Sequence, residues 1–199
     1  MYSHGIATIA VCEAYGMTAD PMLKGQAQRA VNFIVLSQNA IGGWDYGSKG
    51  PTPDTSVSGW NVQALRSAQM GGLTVPKEAL ERVNKYLDAW AGDAYGSTYG
   101  YRSPGNGVAT TAIGLLCRQY LGWGPKNPGL IKGIEYLSRW SPKPNWRHMY
   151  FYYYATQVVH HMGGPAWAAW NPKMRDMLID LQDKGDDANR RHQKGSWSS

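Results

Sequence analysis

The stretch "TVPKEALERVNKYLDAW" (residues 74–90) places Leu80, Val83, Leu87 and Trp90 at helical spacing, with Lys77, Glu81, Lys85 and Asp88 between them. Apolar residues three and four apart share one helix face, so the segment predicts an amphipathic helix with one wet side. Just before it, "SVSGWNVQALRSAQM" (56–70) carries Ser, Gly and Ala where a surface helix would carry long charged side chains. It predicts a helix packed on most sides.

This alternation repeats along the chain. "GIATIAV" at 5, "SVSGWNV" at 56, "GVATTAI" at 107 and "YYATQVV" at 153 align without gaps. With Ala7, Ser58, Ala109 and Ala155 taken as equivalent, the steps are 51, 51 and 46 residues. Each packed segment stops at glycine, the residue that enters a left-handed helix cap freely: Gly16, Gly71-Gly72, Gly122 and Gly163-Gly164. The partner segments open with proline in "ADPMLKG", "TVPKEAL", "KNPGLIK" and "WNPKMRD", and proline suits a first turn because its missing N–H costs nothing there. The reading is all-α: about four helical hairpins in one domain over residues 1–199, with inner packed helices and outer wetter ones. Such hairpins build either an open superhelix or a ring. A period near 50 and glycine-aromatic connections favour the ring, an α/α toroid or partial α-α barrel.

Composition sharpens this picture. Apolar residues make up 43% of the chain, an ordinary globular share. Thirteen Tyr and nine Trp stand against two Phe, and rings with a polar tip suit the border between a core and a wet cleft. The longest apolar runs, "FIVL" and "AIGLLC", are far too short for a bilayer. The net charge of +6 is scattered apart from "NRRHQK" at 189–194, and no nucleic-acid-reading motif accompanies it. Cys12 and Cys117 stand alone, without metal or redox spacing, and read as core residues.

The connection after the first outer helix, Gln38 followed by "GGWDYG" with Gly42, Gly43 and Trp44, resembles the QW motif of the prenyltransferase and squalene-cyclase repeat superfamily. Degenerate copies follow: "YGSTYGYRSPG" at 95–105, and "IDLQ…GSW", in which Gln182 and Trp197 repeat "IVLSQ…GGW". Residues 152–182 are also similar to the late repeats of squalene cyclases. The resemblance implies a terpenoid-cyclase-like α/α toroid. It further implies that four hairpins are an incomplete ring, a piece of a longer chain, or half of an assembly with a second copy. Physically, the motif reads as a staple. The Gln amide would bond its own helix's last carbonyls and the next helix's first amides, the glycines permit the reversal, and the Trp covers the junction.

Asp54-Thr55 opens the second inner helix. Laid on the Asp-x-Asp-Asp-Thr-Ala pattern of class II terpene cyclases, "PTPDTS" keeps only the last aspartate, and the protonating position falls on Pro53. Proline cannot act as a general acid, so Asp54 reads first as a helix cap. Asp54, His4 and His148 are the remaining catalytic candidates. The resemblance supplies no metal site either: Cys117 lacks the neighbouring acid of the prenyltransferase zinc pattern. The group Asp180, Asp183, Asp186 and Asp187 lacks diphosphate-synthase spacing and reads as a solvated helix end. No cofactor or metal is expected.

In a toroid the amino ends of the inner helices share one face. The residues gathered there would be Tyr2 and His4 from the first copy, and Asp54 and Trp60 from the second. Tyr99, Tyr101 and Arg102 come from the third, and Arg147, His148, Tyr150 and Tyr153 from the fourth. Aromatic walls suit an isoprenoid, a lipid or a peptide; converging helix amino ends favour an anionic group. The expectation is a hydrophobic small molecule or peptide bound without a complete catalytic set. The alternatives are a cyclase- or prenyltransferase-type enzyme whose acid lies outside this segment, a polysaccharide lyase using Asn145, Arg147, His148 and Tyr150, or a scaffold joined to other domains.

Overall fold

The computed structural model describes residues 1–186 and 192–197. Among these it has eight helices and no strand: α1 (Tyr2–Thr18), α2 (Pro21–Ser37), α3 (Thr55–Met70), α4 (Lys77–Trp90), α5 (Val108–Tyr120), α6 (Pro128–Ser138), α7 (Met149–Met162) and α8 (Gly164–Leu181). No described helix is long and apolar enough to cross a membrane.

Local chemistry sets most boundaries. Asp20 accepts from the Met22 amide at 2.8 Å, with Pro21 in the first turn of α2. Asn127 caps α6 through the amides of Gly129 and Leu130, followed by Pro128. Each cap satisfies amides that the first turn leaves orphaned. The fourth outer helix departs from expectation. Its predicted start at Pro172 lies inside α8, which already begins at Gly164. Gly163 and Gly164, both at positive φ, make a reversal so tight that α7 and α8 are separated by a single residue.

The odd-numbered helices pack in succession, α1 on α3, α3 on α5 and α5 on α7; α2, α6 and α8 back them from outside. Small residues set the spacing. Gly59 of α3 lies so close to Ile113 that a β-carbon there would collide with its side chain. Val57, Leu65, Ile113, Leu116, Phe151 and Tyr154 are buried in this stack. Side chains tie α4 on: Tyr86 shares a 2.9 Å hydrogen bond with Thr55, and Arg118 of α5 pairs with Asp88.

The connecting motif is visible bond by bond. The Asn39 amide donates to the Gly43 carbonyl at 3.0 Å, and the Gly42 amide to the Asn39 carbonyl at 3.1 Å. The Gln38 side chain donates to Gly42 at 2.7 Å and the Trp44 indole to Ile34 at 2.8 Å. The last connection repeats this set. Asp183 donates to Ser196, Gly195 to Asp183, the Gln182 side chain to Gly195 and the Trp197 indole to Leu178, all at 2.7–3.0 Å. One detail corrects the staple reading. Gln38 sits in extended backbone past the helix end, which carries its amide away from the last turn. It bridges its own loop to the Ala79 carbonyl of α4 at 3.0 Å, while the Trp44 indole takes the last-turn carbonyl.

Candidate functional site

Asp54 is fully buried and caps α3. Its Oδ1 accepts from the Ser56 amide at 2.8 Å, the Ser56 hydroxyl at 2.5 Å and the Val57 amide at 3.2 Å. Its Oδ2 has no donor in hydrogen-bonding geometry. That oxygen faces the Arg102 guanidinium at 3.9 Å, while Arg102 is committed to Asp45 through two bonds of 3.0 and 2.8 Å. The hydrogen-bonding approach of the Tyr101 hydroxyl to the Asp54 carboxylate, followed by burial, the Asp54 charge and Tyr46, pushes that phenol well above its ordinary pKa. The capping carboxylate thus has one oxygen held only loosely, with Arg102 and the Tyr101 hydroxyl as its polar neighbours.

Around it runs a continuous aromatic ridge. The Tyr101 and Tyr46 hydroxyls interact, and Tyr46 stacks on Tyr2 with centroids 5.9 Å apart and planes 6° from parallel. Tyr2 meets the Trp60 ring edge-on at 6.0 Å, and Trp60 packs against Tyr153 at 5.3 Å and Tyr154 at 5.4 Å. Three members of this ridge are about half exposed: Tyr46 (54%), Tyr101 (50%) and Tyr153 (47%). Beneath them, the Trp60 indole N–H and the hydroxyls of Tyr150 and Tyr154 are buried without a hydrogen-bond partner. Burial first, and then Tyr2 for Tyr150 and Tyr150 for Tyr154, raises the two phenols, so both stay protonated donors across the neutral range.

Of the residues expected to line a site, Tyr2, Asp54, Trp60, Tyr101, Arg102, Tyr150 and Tyr153 come together here. The others do not. His4 turns outward, its Nε2 3.0 Å from the Ala30 carbonyl and its ring against Phe33. Tyr99 is fully buried on the far side of α5, where its hydroxyl accepts from Arg118 at 2.9 Å. Arg147 is exposed and bonds back to the Pro144 carbonyl, and His148 caps α7 by accepting from the Phe151 amide at 3.2 Å. The sequence reading missed Asp45, Tyr46 and Tyr154. The signal for the first two was present, since "WDYG" follows the tryptophan of the motif itself.

Other concavities lie at the opposite helix ends. One of about 340 Å³ is bordered by Cys12, Glu13, Met17 and Ser67, and another of about 350 Å³ by Arg66, Tyr120, Trp123 and His161. No group of three or more His, Cys, Asp or Glu among the described residues is placed to hold a metal ion; Asp187 of the acidic group lies outside them.

Fold and motif define an all-helical protein of packed αα-hairpins. Comparison with family models, curated proteins and solved structures finds no match to this chain.

Proposed function

We propose that the chain is a ligand-binding module of the α/α-toroid type, and that its ligand lies on the aromatic ridge over Asp54. The observation that carries this reading is the pairing of half-exposed tyrosine faces with a buried carboxylate oxygen that has no donor in close hydrogen-bonding geometry, only Arg102 at 3.9 Å and the Tyr101 hydroxyl beside the carboxylate. Ring faces take an apolar or flat body, while Asp54 Oδ2, the two phenols and the Trp60 N–H supply a few fixed polar contacts. An isoprenoid or lipid with a hydroxyl head, or a peptide segment with an apolar residue and a free N–H, has that combination. Kinship with the prenyltransferase and squalene-cyclase repeats is part of the proposal. It is supported by the doubled hydrogen-bond pattern of the connecting motif and by α1 and α7 both reaching Trp60. Binding is favoured over polyene protonation because Pro53 stands at the position the acid would need.

The test is native mass spectrometry of the purified chain followed by denaturation, with farnesol and a phospholipid as added probes. The expected result is a non-covalent added mass of lipid or prenyl size, lost on denaturation and diminished in Trp60→Ala and Asp54→Asn. An unliganded mass under every condition, with tryptophan fluorescence unmoved by either probe, would overturn the reading for isoprenoids and lipids. A panel of apolar peptides then decides the remaining arm.

A further inference from the structure

Among the described residues the helical stack has two faces without a neighbour, and the repeat relates them. At the first, Val57, Asn61 and Ala68 of α3 are fully buried, and their side of α3 packs on α1. The equivalent residues of α1, Ile6, Ala10 and Met17, one 51-residue step earlier, are all exposed. At the second, Gly5, Thr8 and Cys12 of α1 and Ser56, Gly59 and Gln63 of α3 are all buried. Their equivalents on α7 are Tyr153 and His160, both exposed, and half-buried Thr156. Two inner helices also lean on the outer helix of the preceding hairpin, α3 on α2 and α7 on α6. The corresponding groove between α7 and α8 is open, about 340 Å³, and lined by Met149, Tyr152, Thr156, Met174 and Leu178 among others.

We propose that α1 of a second copy of this chain seats in the α7–α8 groove, head to tail. Its Ile6, Ala10 and Met17 would take the place that Val57, Asn61 and Ala68 hold against α1. The argument is continuity. The association repeats an interface that the chain already makes within itself, using the same register and the same residue positions. Short side chains at the middle of the α1 stripe, Ala7 and Ala10, permit the close approach that the internal contacts show. Because the two surfaces differ, the contact is heterologous, and copies either close into a ring or extend. The incoming helix would also cover the open side of Tyr153 and so finish that end of the aromatic ridge.

Complementation tests this directly. Ala10→Arg, at an exposed site, blocks the head, and Thr156→Arg, at a half-buried site in the groove, blocks the tail; Lys85→Glu on the exposed side of α4 is the control. Sedimentation velocity across a concentration series should show association of the unmodified chain and of the control. Each blocked variant alone should lose it, and their equimolar mixture should recover a one-to-one heterodimer through the remaining good head and good tail. Because Thr156 accepts from the Trp170 indole at 3.0 Å, Gln157→Arg serves as the tail block if circular dichroism shows that Thr156→Arg loses helix. A chain monomeric at every concentration would overturn the proposal, as would blocked variants that still self-associate, which signals an isologous contact. A mixture that stays monomeric would do the same.

Discussion

The Trp44 indole donates to the Ile34 carbonyl at 2.8 Å, in a fully buried setting. Trp197 makes the same bond to Leu178 at 2.7 Å but is 46% exposed. One motif therefore exists in a dry and a wet version. Trp44→Phe should cost about 2–4 kcal/mol, because it orphans a buried carbonyl and leaves a small void. Trp197→Phe should cost about 1 kcal/mol or less, since water replaces the lost donor. Urea midpoints of the two variants give the comparison, and equal shifts would contradict it.

A second contrast comes from Gly42 and Gly195, which hold the same place in the two copies at φ 107° and 85°. A β-carbon on Gly42 would run into the Arg82 backbone, whereas on Gly195 it would meet nothing within 4 Å. Gly195→Ala is expected to cost about 1 kcal/mol, the price of positive φ alone. Gly42→Ala should cost several times as much, because backbone must move. Thermal unfolding of both variants measures the difference.

Asp54 separates structure from binding. Asp54→Ala removes the α3 cap and is expected to destabilise by about 1–2 kcal/mol. Asp54→Asn keeps an oxygen for the Ser56 and Val57 amides and should fold nearly as well, yet it replaces the second, loosely held acceptor with an amide of different polarity. Stability near that of the unmodified chain with weakened probe binding is the predicted signature; unchanged binding would remove Asp54 from the site.

Arg118 is 4% exposed, with its Nε on the Tyr99 hydroxyl and its guanidinium 4.9 Å from the Trp123 ring centre. Arg118→Leu leaves the buried phenol without its donor but strands no buried charge, since the Asp88 side chain is 70% exposed. The expected loss is about 2–3 kcal/mol. Adding Tyr99→Phe should recover part of it, which a double-mutant cycle would read.

Alkaline unfolding follows from the buried acids. Burial raises Tyr99 from 10 to about 12, Cys117 from 9 to about 12 and Cys12 from 9 to about 11. These groups ionise in the unfolded chain before the folded one, so above pH 9 the unfolded state binds fewer protons. Their stabilisation is complete below pH 9 and is lost as pH rises from about 9 to 12. Tyrosinate absorbance and helicity should change together in that window, and both thiols should resist aromatic disulfides at pH 8 until urea unfolds the chain.

The periodic pattern at Leu80, Val83 and Leu87 and the glycine and proline punctuation made the helices legible, because period and backbone freedom are local properties. Pro172 misled for the same reason. A proline in the first turn of a helix and one in its interior look alike in sequence, and only the one-residue reversal at Gly163 distinguishes them. Asp54 was legible as a cap, since its donors lie two and three residues away.

The candidate site was legible by residue type and only in part by membership. Tyr2, Trp60 and Tyr153 share a ridge through the rotation of α1, α3 and α7 about their axes, which helix–helix packing sets. His4 is two residues from Tyr2 and points to α2 instead, because two residues turn a helix by about 200°. By itself the sequence determined eight helices, their order and the connecting motif, all governed by neighbours a few positions apart. The tertiary structure alone decided which rings meet and which groups face the second oxygen of Asp54. Those depend on contacts between residues some fifty or a hundred positions apart, whose geometry no local pattern encodes.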